Sequence, residues 1–364
     1  MSQPQGVKRC LAVATVALAA ILMMVPAGAT FAAGGGSAGL VASLDAAVPE
    51  IGAHDDITLR FTLRNTSARE IAIPYWQTPE RGIFHDIFDV RLNGKPVEYV
   101  GRDYKWATPE ERDIVRIPAG AAISSVVELS STYAFQETGA YTVRYRASTQ
   151  DLALRAQGPR AIELVSNEVS LFIERDEAAI EIDFDEIVGT GSTSVGRYLS
   201  PSFVSCSSSR QTTLRSALGA AETMASKSRT YLNAGTVNSG YTTWFGTYTA
   251  SRYNTVKSHF ANIYTALNAR TVTFYCDCTD SAYAYVFKNQ PYRIHLCNAF
   301  WSAPLTGTDS KGGTIVHETS HFTVVADTDD WAYGQTACRS LATSNPTRAV
   351  DNADSHEYFA ESRP

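Results

Sequence analysis

The stretch Thr314-Ile-Val-His-Glu-Thr-Ser-His-Phe322 decides how the second half of this chain is interpreted. His317 and His321 are spaced i and i+4, so on a helix they lie on one face, about one turn apart, and can reach one metal ion. Glu318 follows the first histidine and can address a water molecule on that ion. The spacing His-Glu-x-x-His is typical of a zinc site in which the glutamate acts as a general base.

Two histidines do not complete a catalytic zinc site, which usually has three protein ligands and an open position. The metzincin pattern would require glycine at Val324 and histidine at Asp327. A thermolysin-like glutamate would be expected some two dozen residues downstream, whereas Glu357 comes much later. The acids that follow the motif closely are aspartates, so an aspartate is the expected third ligand. Spacing alone leaves Asp327, Asp329 and Asp330 open.

The N-terminus has the pattern of a secretory signal peptide. Lys8 and Arg9 precede an apolar run, Leu11–Val25, and small residues follow, so we expect cleavage by residue 33. The run is shorter than the ~20 residues of a membrane-spanning helix. The sequence therefore predicts a secreted, extracellular protein with no membrane association once residues 1–33 are removed.

Length and charge allow two domains and argue against nucleic acid as a partner. The chain has 364 residues, 44% hydrophobic and 19% charged, with a formal net charge of −6. This is an ordinary globular composition with no net basic character.

Residues 34–188 show the alternating polar and apolar pattern of β-strands. The Asn93-Gly94 turn predicts a hairpin between Phe88–Leu92 and Val97–Val100. About seven short strands with intervening turn signals predict an immunoglobulin-like β-sandwich. His54 and His85 are isolated in this region and are interpreted as structural residues.

Composition changes at residues 189–201, which are rich in glycine and serine and predict a linker with a processing site. Residues 202–364 then combine helical patterns, including Gln211–Asn233 and Tyr241–Asn268, with short strands. This predicts an α+β domain. His259 and His295 lie among apolar neighbours and are interpreted as packing residues.

Five cysteines follow the signal segment. In an exported protein, four of them predict two disulfides, although three pairings are open: Cys206, Cys276, Cys278 and Cys297. Cys276 and Cys278 are too close in sequence for an easy mutual bridge. Cys338 falls in a helical pattern and is interpreted as a small buried hydrophobic residue.

The C-terminal region resembles the peptidyl-Lys metalloendopeptidases of the deuterolysin, or aspzincin, family. The resemblance extends over most of residues 203–364. It is carried by several motifs in order: Tyr241-Thr-Thr-Trp-Phe-Gly246, Ala284-Tyr-Val-Phe287, Gly313-Thr-Ile-Val-His-Glu-Thr-Ser-His-Phe322, Asp330-Trp-Ala-Tyr-Gly-Gln335 and Asn352-Ala-Asp-Ser-His-Glu-Tyr-Phe-Ala-Glu361. It implies a zincin-like α+β catalytic domain, with residues 34–188 similar to the family's propeptides.

The resemblance also implies roles for individual residues. It implies one zinc ion per catalytic domain, held by His317, His321 and Asp330. Glu318 is implied as general base and acid, and Tyr333 as a hydrogen-bond donor to the developing oxyanion. A further set of implied residues comprises the pocket acids Asp354 and Glu357 and the disulfides Cys206–Cys276 and Cys278–Cys297.

These observations predict a secreted zinc endopeptidase, made as a zymogen, that cleaves on the amino side of lysine. Its partners would be lysine-containing proteins or peptides and its own propeptide, which acts as inhibitor or folding assistant, and we expect a monomer. Lys105, on a predicted propeptide loop, could occupy the acidic pocket. Two alternatives stay open: a deuterolysin with broader preference for basic proteins, and a secreted binding protein with structural zinc.

Overall fold

The computed structural model describes residues 39–46, 48–53, 55–148, 163–175 and 200–363. The predicted signal segment, most of the predicted linker and His54 lie outside these described residues. Within the described ranges, no helix is long and apolar enough to cross a membrane.

The described residues of the N-terminal β region, which spans residues 39–175, form twelve strands and two short 3₁₀ helices. The strands are β1 (Leu40–Ala46), β2 (Glu50–Ile51), β3 (Thr58–Asn65), β4 (Ile71–Pro74), β5 (Phe88–Leu92), β6 (Lys95–Pro96), β7 (Arg102–Lys105), β8 (Ile114–Ile117), β9 (Ala122–Glu128), β10 (Gly139–Ser148), β11 (Glu163–Val165) and β12 (Val169–Ile173). The 3₁₀ helices are Tyr75–Gln77 and Glu111–Asp113. Two sheets dominate, in the orders β1-β3-β9 and β2-β12-β10-β5-β6, with β11 paired to β10.

One core lies between these two sheets. Along β3, Leu59, Phe61 and Leu63 are buried and alternate with more exposed residues. Phe61 contacts Tyr145 of β10 with ring centroids 4.7 Å apart. Period-2 alternation in the sequence therefore does place one face of each strand in the core.

The predicted hairpin forms, but its second strand was placed wrongly. Asn93 and Gly94 have φ of 49° and 81°, as a tight hairpin turn requires. Pairing begins directly after the turn, so β6 is Lys95–Pro96 rather than Val97–Val100. Because Pro96 has no N–H to donate, the ladder closes after one more hydrogen bond, from the Val97 N–H to the Val90 carbonyl (2.9 Å).

The C-terminal domain, residues 200–363, is α+β, as predicted. Its helices are α1 (Ser208–Asn233), α2 (Ser239–Phe245), α3 (Ala250–Ala269), α4 (Asn298–Ser302), α5 (Lys311–His321), α6 (Gln335–Ser344), α7 (Pro346–Val350) and α8 (Ala353–Glu361). Its strands are β13 (Ser202–Val204), β14 (Thr273–Tyr275), β15 (Ala284–Phe287) and β16 (Arg293–Leu296). A second core, separate from the first, fills this domain.

The helical pattern predicted for Tyr241–Asn268 forms two helices, because Gly246 divides it into α2 and α3. Gly246 has φ of 75°, and a Cβ at this position would clash with the Ala342 carbonyl oxygen. The chain restarts as a helix at Thr249, whose hydroxyl accepts a hydrogen bond from the Arg252 N–H (3.3 Å). The two helices can therefore take different directions around the core.

Strand β7 of the N-terminal β region completes the sheet of the C-terminal domain. The five-stranded order is β13-β14-β16-β15-β7, and β7 pairs antiparallel with β15. Lys105 lies opposite Ala284, and Arg102 lies opposite Phe287. Lys105 is thus the last residue of a paired strand, whereas the sequence had predicted a loop at this position.

Candidate metal centre and active site

Helix α5 carries the His-Glu-x-x-His motif in the interior of the C-terminal domain. The helix begins after Ser310, whose side chain accepts a hydrogen bond from the Gly313 N–H (2.9 Å). Every residue from Lys311 to His321 is buried. A one-turn helical spacing then points His317 and His321 towards the same place.

His317, His321 and Asp330 converge on one point. The two Nε2 atoms are 3.1 Å apart. The Asp330 carboxylate lies 3.4 Å from Nε2 of His317 and 3.5 Å from Nε2 of His321. In tetrahedral zinc sites with bonds of about 2.0–2.1 Å, ligand atoms are roughly 3.3 Å apart. The two Nε2 atoms and the Asp330 carboxylate, which faces His317 with Oδ1 and His321 with Oδ2, therefore have spacings close to those around one zinc ion.

The hydrogen bonds around the histidines leave lone pairs at this point. Nδ1 of His321 lies 2.7 Å from the Thr328 carbonyl oxygen, which can only accept. Nδ1 of His317 lies 2.9 Å from Asp354 and 3.3 Å from Glu357. A proton on Nδ1 of each ring suits these acceptors, and in that tautomer both Nε2 atoms can bind a metal. Two lone pairs and a carboxylate directed at one point repel each other unless a cation lies between them.

The structure separates the three aspartates that the sequence left open. Asp327 and Asp329 lie 2.9 Å and 2.8 Å from Nζ of Lys288, away from the histidines. Only Asp330 among the three reaches His317 and His321.

Glu318 and Tyr333 flank the three converging side chains. Glu318 is fully buried, and neither of its carboxylate oxygens has a hydrogen-bond partner in the described part of the chain. Burial raises the pKa of Glu318 to about 8, and a cation beside it would lower that pKa again. The Tyr333 hydroxyl lies 2.9 Å from Asp330 Oδ2 and 2.9 Å from the Tyr104 carbonyl oxygen. Having one proton, it donates to one of them at a time.

Next to the histidines, an acidic pocket holds the side chain of Lys105. Nζ lies 2.7 Å from Glu357, 3.4 Å from Asp354 and 3.6 Å from Asp309. Lys105 is 1% exposed. Burial alone would lower the pKa of Lys105. The three carboxylates outweigh burial and raise this pKa well above its usual value, so the ammonium is charged. The pocket thus binds a lysine side chain from the N-terminal β region.

Asn352 was not identified from the sequence. Its Oδ1 accepts hydrogen bonds from the N–H groups of Trp331 (2.8 Å) and Ala332 (2.9 Å). These residues directly follow Asp330, so Asn352 fixes the segment that presents this carboxylate. Asparagine directly before a helix predicts a cap, but the Asn352 side chain makes no capping hydrogen bond, so this pattern would not have revealed its contact with the Asp330 segment.

Asp309 and His356 were missed as well. Asp309, in the loop before α5, is the third acid around Lys105. His356 lies between the two pocket acids in sequence and is fully buried, with its Nε2 3.0 Å from Nδ1 of His259. Burial lowers the pKa of His259 to about 4 and that of His356 to about 3. His259 is therefore a packing residue, as predicted, with an unpredicted partner.

The cysteines pair as the resemblance implied. The structure contains the disulfides Cys206–Cys276 and Cys278–Cys297. The first ties the segment after β13 to the end of β14, and the second closes the loop that precedes β15 onto the start of α4. Cys338 is a buried free cysteine, as predicted.

An α+β domain with these converging side chains has the arrangement of a metallopeptidase, and comparisons with known proteins agree. The sequence model of the Aspzincin M35 family, described as lysine-specific metallo-endopeptidase, matches residues 230–361. An extracellular protease of Aeromonas hydrophila is 37% identical over 331 residues, which cover 89% of this chain and 93% of that protein. The chain therefore belongs to the aspzincin family of metalloendopeptidases. This membership favours an enzyme over the alternative of a binding protein.

Two further relatives match about half of the chain. A peptidyl-Lys metalloendopeptidase of Pleurotus ostreatus is 53% identical over 164 residues, covering 44% of this chain and 97% of that protein. A solved structure titled zinc peptidase from Grifola frondosa aligns with a TM-score of 0.42 and 47% identity, covering 44% of this chain and 98% of that chain.

Proposed function

We propose that this chain is a secreted zinc endopeptidase that cleaves peptide bonds on the amino side of lysine and is made in a latent form. The observation that carries the proposal is the position of Lys105. Its ammonium lies in the acidic pocket, and the carbonyl directly before it lies 2.9 Å from the Tyr333 hydroxyl. A substrate with lysine after its scissile bond would place the same groups at the same points.

His317, His321 and Asp330 would hold the zinc ion. The two Nε2 atoms and the Asp330 carboxylate have the required spacing, and all of them offer lone pairs. When bound there, zinc supplies Lewis-acid polarisation of a carbonyl and lowers the pKa of a water molecule. Glu318 takes a proton from the attacking water and delivers it to the leaving amine. Tyr333 donates a hydrogen bond to the carbonyl oxygen as negative charge develops on it.

Asp354 and Glu357 would select lysine. Both are buried one helical turn apart on α8, and both lie within 3.4 Å of the Lys105 ammonium. Two buried carboxylates without a cation repel each other and are poorly solvated. Binding of a positively charged side chain is therefore favourable, because it offsets this repulsion and desolvation. The same two carboxylates face Nδ1 of His317 and so also orient a metal ligand.

The N-terminal β region would act as a propeptide with an immunoglobulin-like sandwich fold, residues 34–188. It supplies β7 to the sheet and Lys105 to the pocket, so a substrate cannot enter while it is docked. Cleavage in the linker 189–201 would release the catalytic domain, residues 202–364.

The test is digestion of a protein that contains both lysine and arginine by the matured enzyme, followed by sequencing of the new N-termini. We expect lysine at nearly every new N-terminus, loss of activity with a chelator and its return with zinc. The variant Glu318→Ala should be inactive. Chelator-resistant cleavage would overturn the zinc mechanism. Frequent arginine at the new N-termini would support the broader deuterolysin specificity instead.

A further inference from the structure

The residues before Lys105 lie along the catalytic domain as an extended strand. β7 pairs with β15 in register, Tyr104 opposite Tyr285 and Arg102 opposite Phe287. If Lys105 occupies the lysine pocket, as the proposed function holds, then Tyr104 and Arg102 lie where the corresponding residues of a substrate would bind. Their contacts therefore report on subsites beyond the lysine pocket.

Tyr104 makes a specific polar contact with the catalytic domain. Its side chain is fully buried, and its hydroxyl donates a hydrogen bond to Oδ2 of Asp280 (3.0 Å). Its ring lies against the ring of Tyr285, with centroids 4.9 Å apart. Asp280 is held in the loop closed by the Cys278–Cys297 disulfide, and its carbonyl accepts the Asn298 N–H (3.1 Å). The acceptor is therefore fixed by the catalytic domain itself.

Arg102 lies on the same face of the strand, two residues earlier. Its guanidinium is 4.9 Å from the ring centroid of Tyr285 and 6.0 Å from that of Phe287. It also donates a hydrogen bond to the Tyr104 hydroxyl (3.1 Å). A cation over two aromatic rings is attracted to their negative faces. Arg102, Tyr104 and Asp280 thus form one chain of contacts beside β15.

We infer that the catalytic domain has an extended recognition site before the scissile bond, in which Asp280 selects tyrosine directly before the lysine and Tyr285 and Phe287 select arginine two residues further upstream. The enzyme would then favour arginine-x-tyrosine-lysine segments among all lysine-containing segments. This inference rests on the proposed function and specifies its substrate class.

The test compares four matched peptides, each with a single lysine. The parent is Arg-Asp-Tyr-Lys-Trp within inert flanks; in the others tyrosine becomes phenylalanine, arginine becomes alanine, or both change. The measured quantity is kcat/KM for the matured enzyme, with the cleavage position read by mass spectrometry. A hydrogen bond to a carboxylate that is partly accessible to water predicts about a 5-fold preference for tyrosine over phenylalanine. The arginine contact, at an exposed site, predicts about a 3-fold preference over alanine.

Asp280→Asn keeps an oxygen that can accept the hydrogen bond but removes the charge, so the tyrosine-to-phenylalanine ratio should fall from about 5 to about 2. Asp277→Asn is the matched control, because it removes a carboxylate from the same loop, and Asp277 is 57% exposed and faces His295 rather than β7. This control should keep the ratio of the unmodified enzyme. A thermal unfolding scan of both variants establishes that they are folded.

Different results would refute the extended site and the proposed function. If the unmodified enzyme cleaves before lysine in all four peptides at equal kcat/KM, the extended site is refuted and the lysine pocket is not. If it cleaves elsewhere, the proposed function itself fails. The tyrosine-to-phenylalanine ratio of kcat/KM in the unmodified enzyme tests the extended site even if Asp280→Asn does not fold.

Discussion

Replacing Lys105 by alanine should activate the full-length chain without any cleavage of the linker. The Lys105 ammonium is 1% exposed and lies 2.7 Å from Glu357 and 3.4 Å from Asp354. Removing one partner from a buried group of charges costs roughly 3–5 kcal/mol, because the remaining charges stay desolvated. Since about 1.4 kcal/mol is a factor of ten in an equilibrium constant, a loss of roughly 3 kcal/mol raises the undocked fraction about 100-fold. In the undocked state, by contrast, water reaches the pocket acids.

The assay is hydrolysis of a quenched fluorescent peptide with one lysine by the intact chain, whose mass is checked before and after the reaction. Lys105→Arg keeps the charge and should stay closer to the unmodified protein. Lys95→Ala is the matched control, because Lys95 is exposed in β6 of the same region. If the intact Lys105→Ala chain hydrolyses the peptide no faster than the unmodified chain does, Lys105 does not maintain latency.

Three further predictions concern the site and the core. Asp330→Asn should lose most of its bound zinc, measured by elemental analysis after dialysis, whereas Asp327→Asn should keep it, because Asp327 faces Lys288; equal zinc contents would contradict the assignment. Glu318→Gln should bind zinc normally and lose about 10²–10⁴-fold in kcat, as expected for a missing general base, and retention of activity would exclude that role. The His259–His356 pair should make stability fall on acidification: the folded-state pKa of His259 is about 4, below the unfolded value of about 6.5, so its contribution is present above pH 6.5 and declines as pH falls towards 4. At pH 5 the loss from His259 is roughly 2 kcal/mol relative to pH 7.5, and denaturant unfolding of His259→Gln should show a smaller loss than the unmodified protein.

The parts of the site that sequence predicted are those set by local geometry. A helix places residues four apart on one face, so the spacing of His317 and His321 was enough to pair them. Spacing narrowed the third ligand only to three aspartates, and Asp330 was implied by the family resemblance alone, because the choice depends on how the chain turns after α5. That turn includes Asp327 in a left-handed conformation, with φ of 51°, and is fixed by Lys288 from a distant strand end. Neither feature has a local sequence pattern.

The pairing of β7, a strand of the N-terminal region, with β15 of the C-terminal domain could not be predicted from the sequence. Residues 102–105 look like any other short strand of the N-terminal region, and their partner lies some 180 residues downstream in β15. Strand pairing over such a separation is decided by the complete fold rather than by alternation in the strand itself. Lys95 and Lys105 are the only lysines in the sequence between residues 34 and 188, so few candidates existed for an acidic pocket.

The shared sheet also bears on how concentrated the protein can become. Once β7 leaves, β15 is an edge strand with unpaired N–H and C=O groups at residues 284–287 and with the aromatic rings of Tyr285 and Phe287 beside them. An edge strand with unpaired backbone groups can pair with strands of other molecules, and such pairing is a common start of aggregation. The N-terminal region covers this edge while β7 is paired, so the uncleaved chain should resist aggregation better than a catalytic domain released by the proposed cleavage.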